Sequence, residues 1–324
     1  MAQRQREKIM VTIGSDPEMM LMSKGNYRSA IGVVPGTKYK PHKVGKNLYY
    51  YDNVMAECTI QPASDKKEAV EYFRTAFRNY AKLVHPNTLV VQASQNYPVS
   101  ELKHKDALAI GCDREACAYA LMEMEPPEEA FVAGTLRSAG GHLHLGSSWI
   151  KKDPINCLST IRMCDLFLGT MSIFLDKDAT SKKRKELYGK AGRFRMPPHG
   201  AEYRSLSNFW LASPKLVGFI YDMAKFVLSF LEDGKHNQLW NIDTERLNSE
   251  DAWNEEDFTP ASCHKCVGYD TNALRKAIDT MDKTKGTKFL SFIKDMLPAN
   301  LYNDFETLAS QRESYDFYKE WKLV

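Results

Sequence analysis

The stretch Gly140-Gly141-His142-Leu143-His144-Leu145-Gly146 constrains the fold more than any other part of the chain. Read as an extended segment, it puts His142 and His144 on one face and Leu143 and Leu145 on the other. The leucine face is suited to packing against helices, and the other presents two imidazoles. Glycines on both sides allow other groups to approach the backbone. Taken alone, the stretch fits equally well a half-buried strand with two exposed histidines.

Three further segments carry polar residues at the same spacing. Asp16 and Glu18 stand at i and i+2 in Gly14-Ser-Asp-Pro-Glu-Met-Met-Leu-Met22. Glu57, Thr59 and Gln61 share one face of Met55–Gln61, and Glu202 and Arg204 share one face of Gly200–Leu206. Just upstream, Arg193 and Arg195 are again two apart. Together these segments predict a sheet with a charged face. Carboxylates and imidazoles suit hard or borderline divalent cations, and guanidiniums suit phosphate.

These residues carry a resemblance. Asp16-Pro-Glu18 followed by Met-Met-Leu-Met resembles the first metal-binding strand of glutamine synthetases, Gly-Gly-His142-Leu-His144 their HxHxS segment, and Glu202-Tyr-Arg204 their late ExR strand. The closer similarity is to the phage-type COOH-NH2 ligases, amidoligases of the glutamine synthetase-like fold. Six segments stand in that family's order: Gly14–Glu18, Pro35-Gly-Thr-Lys38, Gly111-Cys-Asp113, Ala139–His144, Tyr188-Gly-Lys-Ala-Gly192 and Glu202–Trp210. The resemblance covers residues 10–235; nothing beyond about 240 carries one.

The resemblance implies an α+β fold. An antiparallel, partly closed sheet would carry the polar residues, with helices on its convex face and a helical C-terminal tail. It implies a catalytic domain over residues 8–240 and an acidic loop and helical extension over 241–324, packed on the same domain. It implies ATP and two or more Mg2+ or Mn2+ ions. Glu18, Glu57, Glu202, His142 and Asp16 would be the metal ligands, and His144 would face ATP. Arg193, Arg195 and Arg204 would bind the phosphoryl group, and Lys38 and Arg137 would contact ATP or substrate. Many glutamine synthetases have glutamate where Asp16 stands, and Asp is shorter, so the resemblance is weakest at Asp16.

The rest of the chain narrows the function. Lys and Arg total 44 and Asp and Glu 41, a net charge of +3, too balanced to point to nucleic acid. The 324 residues, 43% hydrophobic, are long enough to bury a core. Seven cysteines without regular spacing, an N-terminus lacking an apolar stretch and no apolar run of membrane-spanning length point to a cytoplasmic protein, in a host cytoplasm if phage-encoded. There is no Gly-x4-Gly-Lys-Ser/Thr loop, no Gly-x-Gly-x-x-Gly after a strand and no Gly-x-Ser-x-Gly elbow.

Local patterns predict the elements. Residues 8–22 read as one strand, or two kinked at Pro17, and 49–61 as a strand; 24–47 reads as a loop. Asp65 and Glu68 resemble a capping box opening a helix that stops near Pro86. Leu89, Val91 and Ala93 alternate as a strand. Residues 155–176 read as a buried helix, and Ser213-Pro214 as the cap and first residue of another with a wide apolar stripe. The tail, 271–322, reads as two or three short helices. The basic run Lys182-Lys-Arg-Lys185 reads as a solvated face or a steering patch for anions, and Cys263-His-Lys-Cys266 lacks the second pair a zinc site needs.

The combined reading is an ATP- and Mg2+-dependent carboxylate–amine ligase working through an acyl phosphate on small-molecule or peptide substrates. A metal-dependent hydrolase using the HxH pair and a non-catalytic virion or binding protein are the alternatives. Substrates and oligomeric state are open.

Overall fold

The computed structural model describes residues 11–108, 115–120, 122–124, 134–242, 249, 264–311 and 314–323. Its centre is β1 (Thr12–Ser23), an unbroken strand through Pro17 that changes neighbours there. Residues Thr12–Pro17 pair with β12 (Gly141–Gly146), and Glu18 and Met19 pair with β5 (Met55–Cys58). The predicted 49–61 strand is instead a hairpin. Strand β4 (Asn47–Asp52) turns into β5 at Asn53, whose φ of 52° is a left-handed value that Asn tolerates. A short β6 (Ile60–Ala63) then returns to β1. The predicted 24–47 loop holds two small strands, β2 (Asn26–Arg28) and β3 (His42–Val44).

Further along, β7 (Thr88–Val90) joins β1, while β8 (Ser94–Asn96) pairs with β11 (Leu136–Ser138) in a separate ribbon. The main sheet is completed by β9 (Glu115–Cys117), β10 (Met122–Met124), β13 (Arg193–Arg195) and β14 (Gly200–Tyr203). Its path is β10-β9-β13-β14-β12-β1-β5-β4-β3, all antiparallel. The fold is thus α+β with a large antiparallel sheet that is not closed.

Side-chain alternation divides this sheet into two faces. Ile13, Met19, Leu21, Leu143, Leu145 and Tyr203 belong to one buried cluster with the helices. Their strand neighbours Asp16, Glu18, His142, His144 and Glu202 take the opposite face by the period of two. The helix Lys66–Val84 is capped by Asp65, which accepts from the Lys67 and Glu68 amides. The capping box is shifted by one residue, because Glu68 accepts from the Ser64 amide rather than that of Asp65. The helix Pro214–Glu232 starts as predicted, with Ser213 accepting from the Leu216 amide and Pro214 in the first turn.

Pro154–Leu175 is 22 residues long with a hydropathy of 1.4 over its most apolar window, which meets the length and composition of a membrane span. That corrects the expectation that no run is long enough. Inside this fold 89% of that window is buried, and the segment serves as the core helix predicted for 155–176. A π-helical turn at Asp165–Gly169 interrupts it. The tail has four helices rather than two or three: Thr271–Thr280, Lys283–Lys294, Ala299–Ser310 and Phe317–Trp321. Trp321 is fully buried, donates to the Leu211 carbonyl at 2.8 Å and packs edge-on against Phe77. Phe305, Phe317 and Trp321 share the main buried cluster with Phe73 and Leu143.

Candidate active site

The sheet register assembles a polar row across six strands. Tyr50 on β4 faces Glu57 on β5, and Glu57 faces Glu18 on β1. Two residues back along β1, Asp16 faces His142 on β12. Two residues on along β12, His144 faces Glu202 on β14, and Glu202 faces Arg195 on β13. The i, i+2 spacing seen in the sequence is therefore what steps the row from strand to strand.

The two glycines before His142 have separate steric reasons. A Cβ on Gly141 would strike the indole nitrogen of Trp210, which donates to the Gly141 carbonyl at 3.2 Å. A Cβ on Gly140 would strike Nε2 of His142. Gly140 also exchanges two bonds with Glu18: its amide donates to Glu18 Oε2 at 2.6 Å, and its carbonyl accepts from the Glu18 amide at 3.1 Å. Glu18 is thereby fixed at the point where β1 changes partners.

Asp16, His142 and Glu202 form the one group of three or more metal-binding side chains among the described residues, their ligand atoms within 4.8 Å of one another. His142 Nδ1 lies 3.8 Å from Asp16 Oδ1 and 3.5 Å from Glu202 Oε1. Burial and the guanidiniums of Arg204 and Arg184 hold the His142 pKa well below the usual imidazole value, so the ring is neutral and one of its nitrogens keeps a lone pair that could bind a cation. Burial pushes Glu18 up to about 7, against the Gly140 hydrogen bond, and pushes Glu202 up to about 7 with help from the charge on Asp16. Glu57 is also raised, by burial and then by Asp16 and Glu18. Its Oε1 accepts from the Tyr50 hydroxyl at 2.8 Å, while Oε2 is buried with no partner among the described residues, as is Nε2 of His142. Buried carboxylates that repel one another, beside a neutral imidazole and an orphaned carboxylate oxygen on Glu57, fit divalent cations.

Asp16, Glu18, Glu57 and His142 line a cavity of about 170 Å3 together with Tyr50, Asp52, Arg195 and Arg204. Arg204 donates to Glu202 and, at 3.0 Å, to Glu115 Oε2. Lys38 also lines the cavity and pairs with Asp52 at 2.9 Å.

Four expected residues are placed differently. Glu202, though grouped with Asp16 and His142, is not part of the cavity lining. Arg193 does not line the cavity; its Nε lies 3.7 Å from Glu115. His144 lies outside the lining too, with Nε2 2.8 Å from Asp16 Oδ1 and Nδ1 3.0 Å from His199 Nε2. Burial lowers the His144 pKa, but the Asp16 carboxylate outweighs this and leaves it raised. Arg137 is on β11, not on the HxH strand. It lines the cavity, yet its guanidinium donates to the Gly134, Leu136 and Ala107 carbonyls and to Asn53 Oδ1, which ties these segments together.

The basic run is not a solvated face throughout. Lys182 and Lys183 are exposed, but Arg184 and Lys185 are buried. Arg184 donates to the Ala139 carbonyl at 2.8 Å, Arg204 at 3.3 Å and Ser205 at 3.4 Å, and burial lowers its pKa to about 10. Lys185 donates to the Gly189 and Ser205 carbonyls at 2.7 and 2.6 Å. These two residues bind the segments leading into β12 and out of β14. Sequence reasoning missed them because four consecutive cations in a short helix give no sign of which pair turns inward. The only signal was the following Tyr188-Gly-Lys-Ala-Gly motif. Gly111-Cys112-Asp113 and Cys263 lie outside the described residues; Cys266 Sγ donates to the Tyr269 hydroxyl at 3.6 Å.

Residues 86–323 match the family described as phage phiEco32-like COOH.NH2 ligase-type 2. No curated protein matches the chain. The matched segment contains His142, Arg195, Glu202 and Arg204, whereas Asp16, Glu18, Lys38 and Glu57 precede it. It also takes in most of the tail, which the sequence resemblance had stopped short of.

Proposed function

This chain belongs to the phage phiEco32-like COOH-NH2 ligase type 2 family, whose description is of a carboxylate–amine ligase, and from that premise we propose that it joins a carboxylate to an amine at the expense of ATP. The observation that carries this reading is the cross-strand row: Glu57, Glu18, Asp16 and a neutral His142 line one cavity with Arg195 and Arg204, and Glu202 on β14 lies beside His142.

A free carboxylate is a poor electrophile, and amide formation from it is uphill in water. Phosphorylation by ATP turns it into an acyl phosphate, which an amine can attack with phosphate as the leaving group. Asp16, His142 and Glu202 would hold one divalent cation, and Glu18 with Glu57 would supply ligands for a second. When bound, Mg2+ or Mn2+ neutralises phosphate charge and lets two anions approach. Arg195 and Arg204 stabilise the charge that shifts among the phosphoryl oxygens, and the Arg204–Glu115 and Arg204–Glu202 pairs fix its fork in advance. The acid and amine are small molecules or peptide ends.

The test uses hydroxylamine as the amine. Screened with candidate acids, ATP and Mg2+, the protein produces hydroxamate and ADP in equal amounts. Hydroxamate formed without ATP, or ADP release with no dependence on any acid, refutes the reading.

A further inference from the structure

The Tyr188-Gly-Lys-Ala-Gly motif has no part in the chemistry described so far, yet its first residue reaches the cavity. Tyr188 follows the helix Ser181–Leu187 and lines the same cavity as Glu18, His142 and Arg204. The guanidinium carbons of Arg204 and Arg184 lie over its ring, 4.9 and 5.4 Å from the centroid. The ring of His142 is 5.8 Å away, tilted by 53°. The Tyr188 hydroxyl is buried and has no hydrogen-bond partner among the described residues.

A phenol hydroxyl shut away from water normally finds a partner, because leaving it without one forfeits its hydration. The ring itself is already held by two guanidiniums through cation–π contact. Packing therefore accounts for the ring and not for the hydroxyl. The Gly189 φ of 72° lets the chain turn back directly after Tyr188, and a Cβ there would collide with the Arg184 guanidinium. The backbone is thus specialised to keep Tyr188 against the arginines. The charges against the ring are the guanidiniums of Arg184 and Arg204, while the cavity wall carries Arg195 alongside the carboxylates Asp16, Glu18, Asp52 and Glu57. An anionic oxygen drawn to those guanidiniums would give the hydroxyl its partner.

We propose that Tyr188 is a substrate-binding residue whose hydroxyl donates a hydrogen bond to an anionic oxygen of the substrates, a carboxylate or phosphoryl oxygen. Its ring at the same time sets the orientation of Arg204. This deepens the ligase reading and rests on it for the identity of the anion, but not for the hydroxyl's need of a partner.

The substitution that isolates the hydroxyl is Tyr188→Phe, which keeps the ring and both cation–π contacts. Wild type and variant are compared for thermal midpoint, and for kcat and KM in acid-dependent ADP release. Each is also titrated calorimetrically with inorganic phosphate and with acetate, in the presence of Mg2+. The expected result is an unchanged thermal midpoint with kcat/KM lowered about 100-fold, the scale for removing one donor aimed at an oxyanion. Loss in KM for the acid together with weaker acetate binding assigns the contact to the carboxylate. Loss in kcat together with weaker phosphate binding assigns it to the phosphoryl group. Tyr188→Leu, which also removes the ring, should lose more than Tyr188→Phe. The proposal is overturned if Tyr188→Phe stays within about twofold of wild type in kcat/KM and in both affinities, or if its losses are matched by a fall in thermal midpoint. Should the wild type release no acid-dependent ADP, the ligase reading fails by itself, and the two titrations still decide whether the hydroxyl binds an anion.

Discussion

On the proposed reading, the raised carboxyl groups of Glu18 and Glu202 make cation binding a proton-release reaction. Both are pushed to about 7, chiefly by burial. A carboxyl with that pKa is about ten-elevenths protonated at pH 6 and ten-elevenths ionised at pH 8. A cation that requires the ionised form must displace the proton at pH 6 and almost none at pH 8. Its apparent affinity therefore rises about tenfold over this interval for each carboxyl involved, and about 100-fold, or roughly 2.7 kcal/mol, for two. His142 adds no proton, because its pKa is held well below the ordinary value. The sign for stability follows the same shifts. With folded-state values above the usual 4.5, the two groups favour the metal-free folded protein below about pH 4.5, and that contribution is lost as pH rises through 7. The metal-free protein should thus lose thermal stability between pH 5 and 8, and Mn2+ should restore it most at the upper end. Calorimetric titration of Mn2+ at pH 6, 7 and 8, in two buffers of different ionisation enthalpy, gives both the affinity and the number of protons released. Glu18 and Glu202 should contribute one to two protons at pH 6 and close to none at pH 8, and Glu57, also raised by burial, should add to the release at both. An affinity constant within twofold between pH 6 and pH 8, or no proton release at pH 6, refutes the reasoning.

Arg204→Lys should slow acid-dependent ADP release by about 2–4 kcal/mol in activation free energy while ATP binding weakens less, because lysine keeps the charge and loses the fork; equal losses in both would show the fork to be unused. Arg184→Met should lower the urea midpoint by the equivalent of at least about 2 kcal/mol, since the Ala139, Arg204 and Ser205 carbonyls lose their donor. The exposed neighbours Lys182→Met and Lys183→Met serve as controls within about 0.5 kcal/mol of wild type. Cys266→Ser should retain full activity, as its thiol makes only a long contact with Tyr269; loss of bound zinc from that variant would contradict this.

Short-range spacing made the site legible. Asp16 with Glu18, His142 with His144 and Glu202 with Arg204 are each two residues apart, and a strand must present each pair on one face. The structure uses the first two pairs as steps between neighbouring strands, and Glu202 faces His144 on one side and Arg195 on the other, which is why the residues meet without being close in the chain. Spacing could not supply the registers. A shift of one residue between β1 and β12 would turn His142 away from Asp16, and what fixes that register is Gly141 under Trp210 and Gly140 against Glu18. The same limit explains Arg137, five residues ahead of His142 in sequence but on a separate ribbon, where carbonyl acceptors take up its guanidinium.

Arg184 and Lys185 show the deeper reason why part of the site was hidden. Composition alone places a cation in water, since burying an unpaired charge costs several kcal/mol. Among the described residues neither pairs with a carboxylate within 4.0 Å; both are satisfied by backbone carbonyls brought together only in the folded chain. Their partners lie at Ala139, Gly189, Arg204 and Ser205, the ends of the segments that carry His142, Arg195 and Arg204. A fixed positive charge there also draws Glu18 toward ionisation, because Arg184 opposes the burial that raises it. The same side chain thus closes the sheet behind the cavity and moderates the charge within it. That double use explains why an arginine, and not a hydrophobic residue, stands here: an apolar side chain would leave the Ala139, Arg204 and Ser205 carbonyls without their donor.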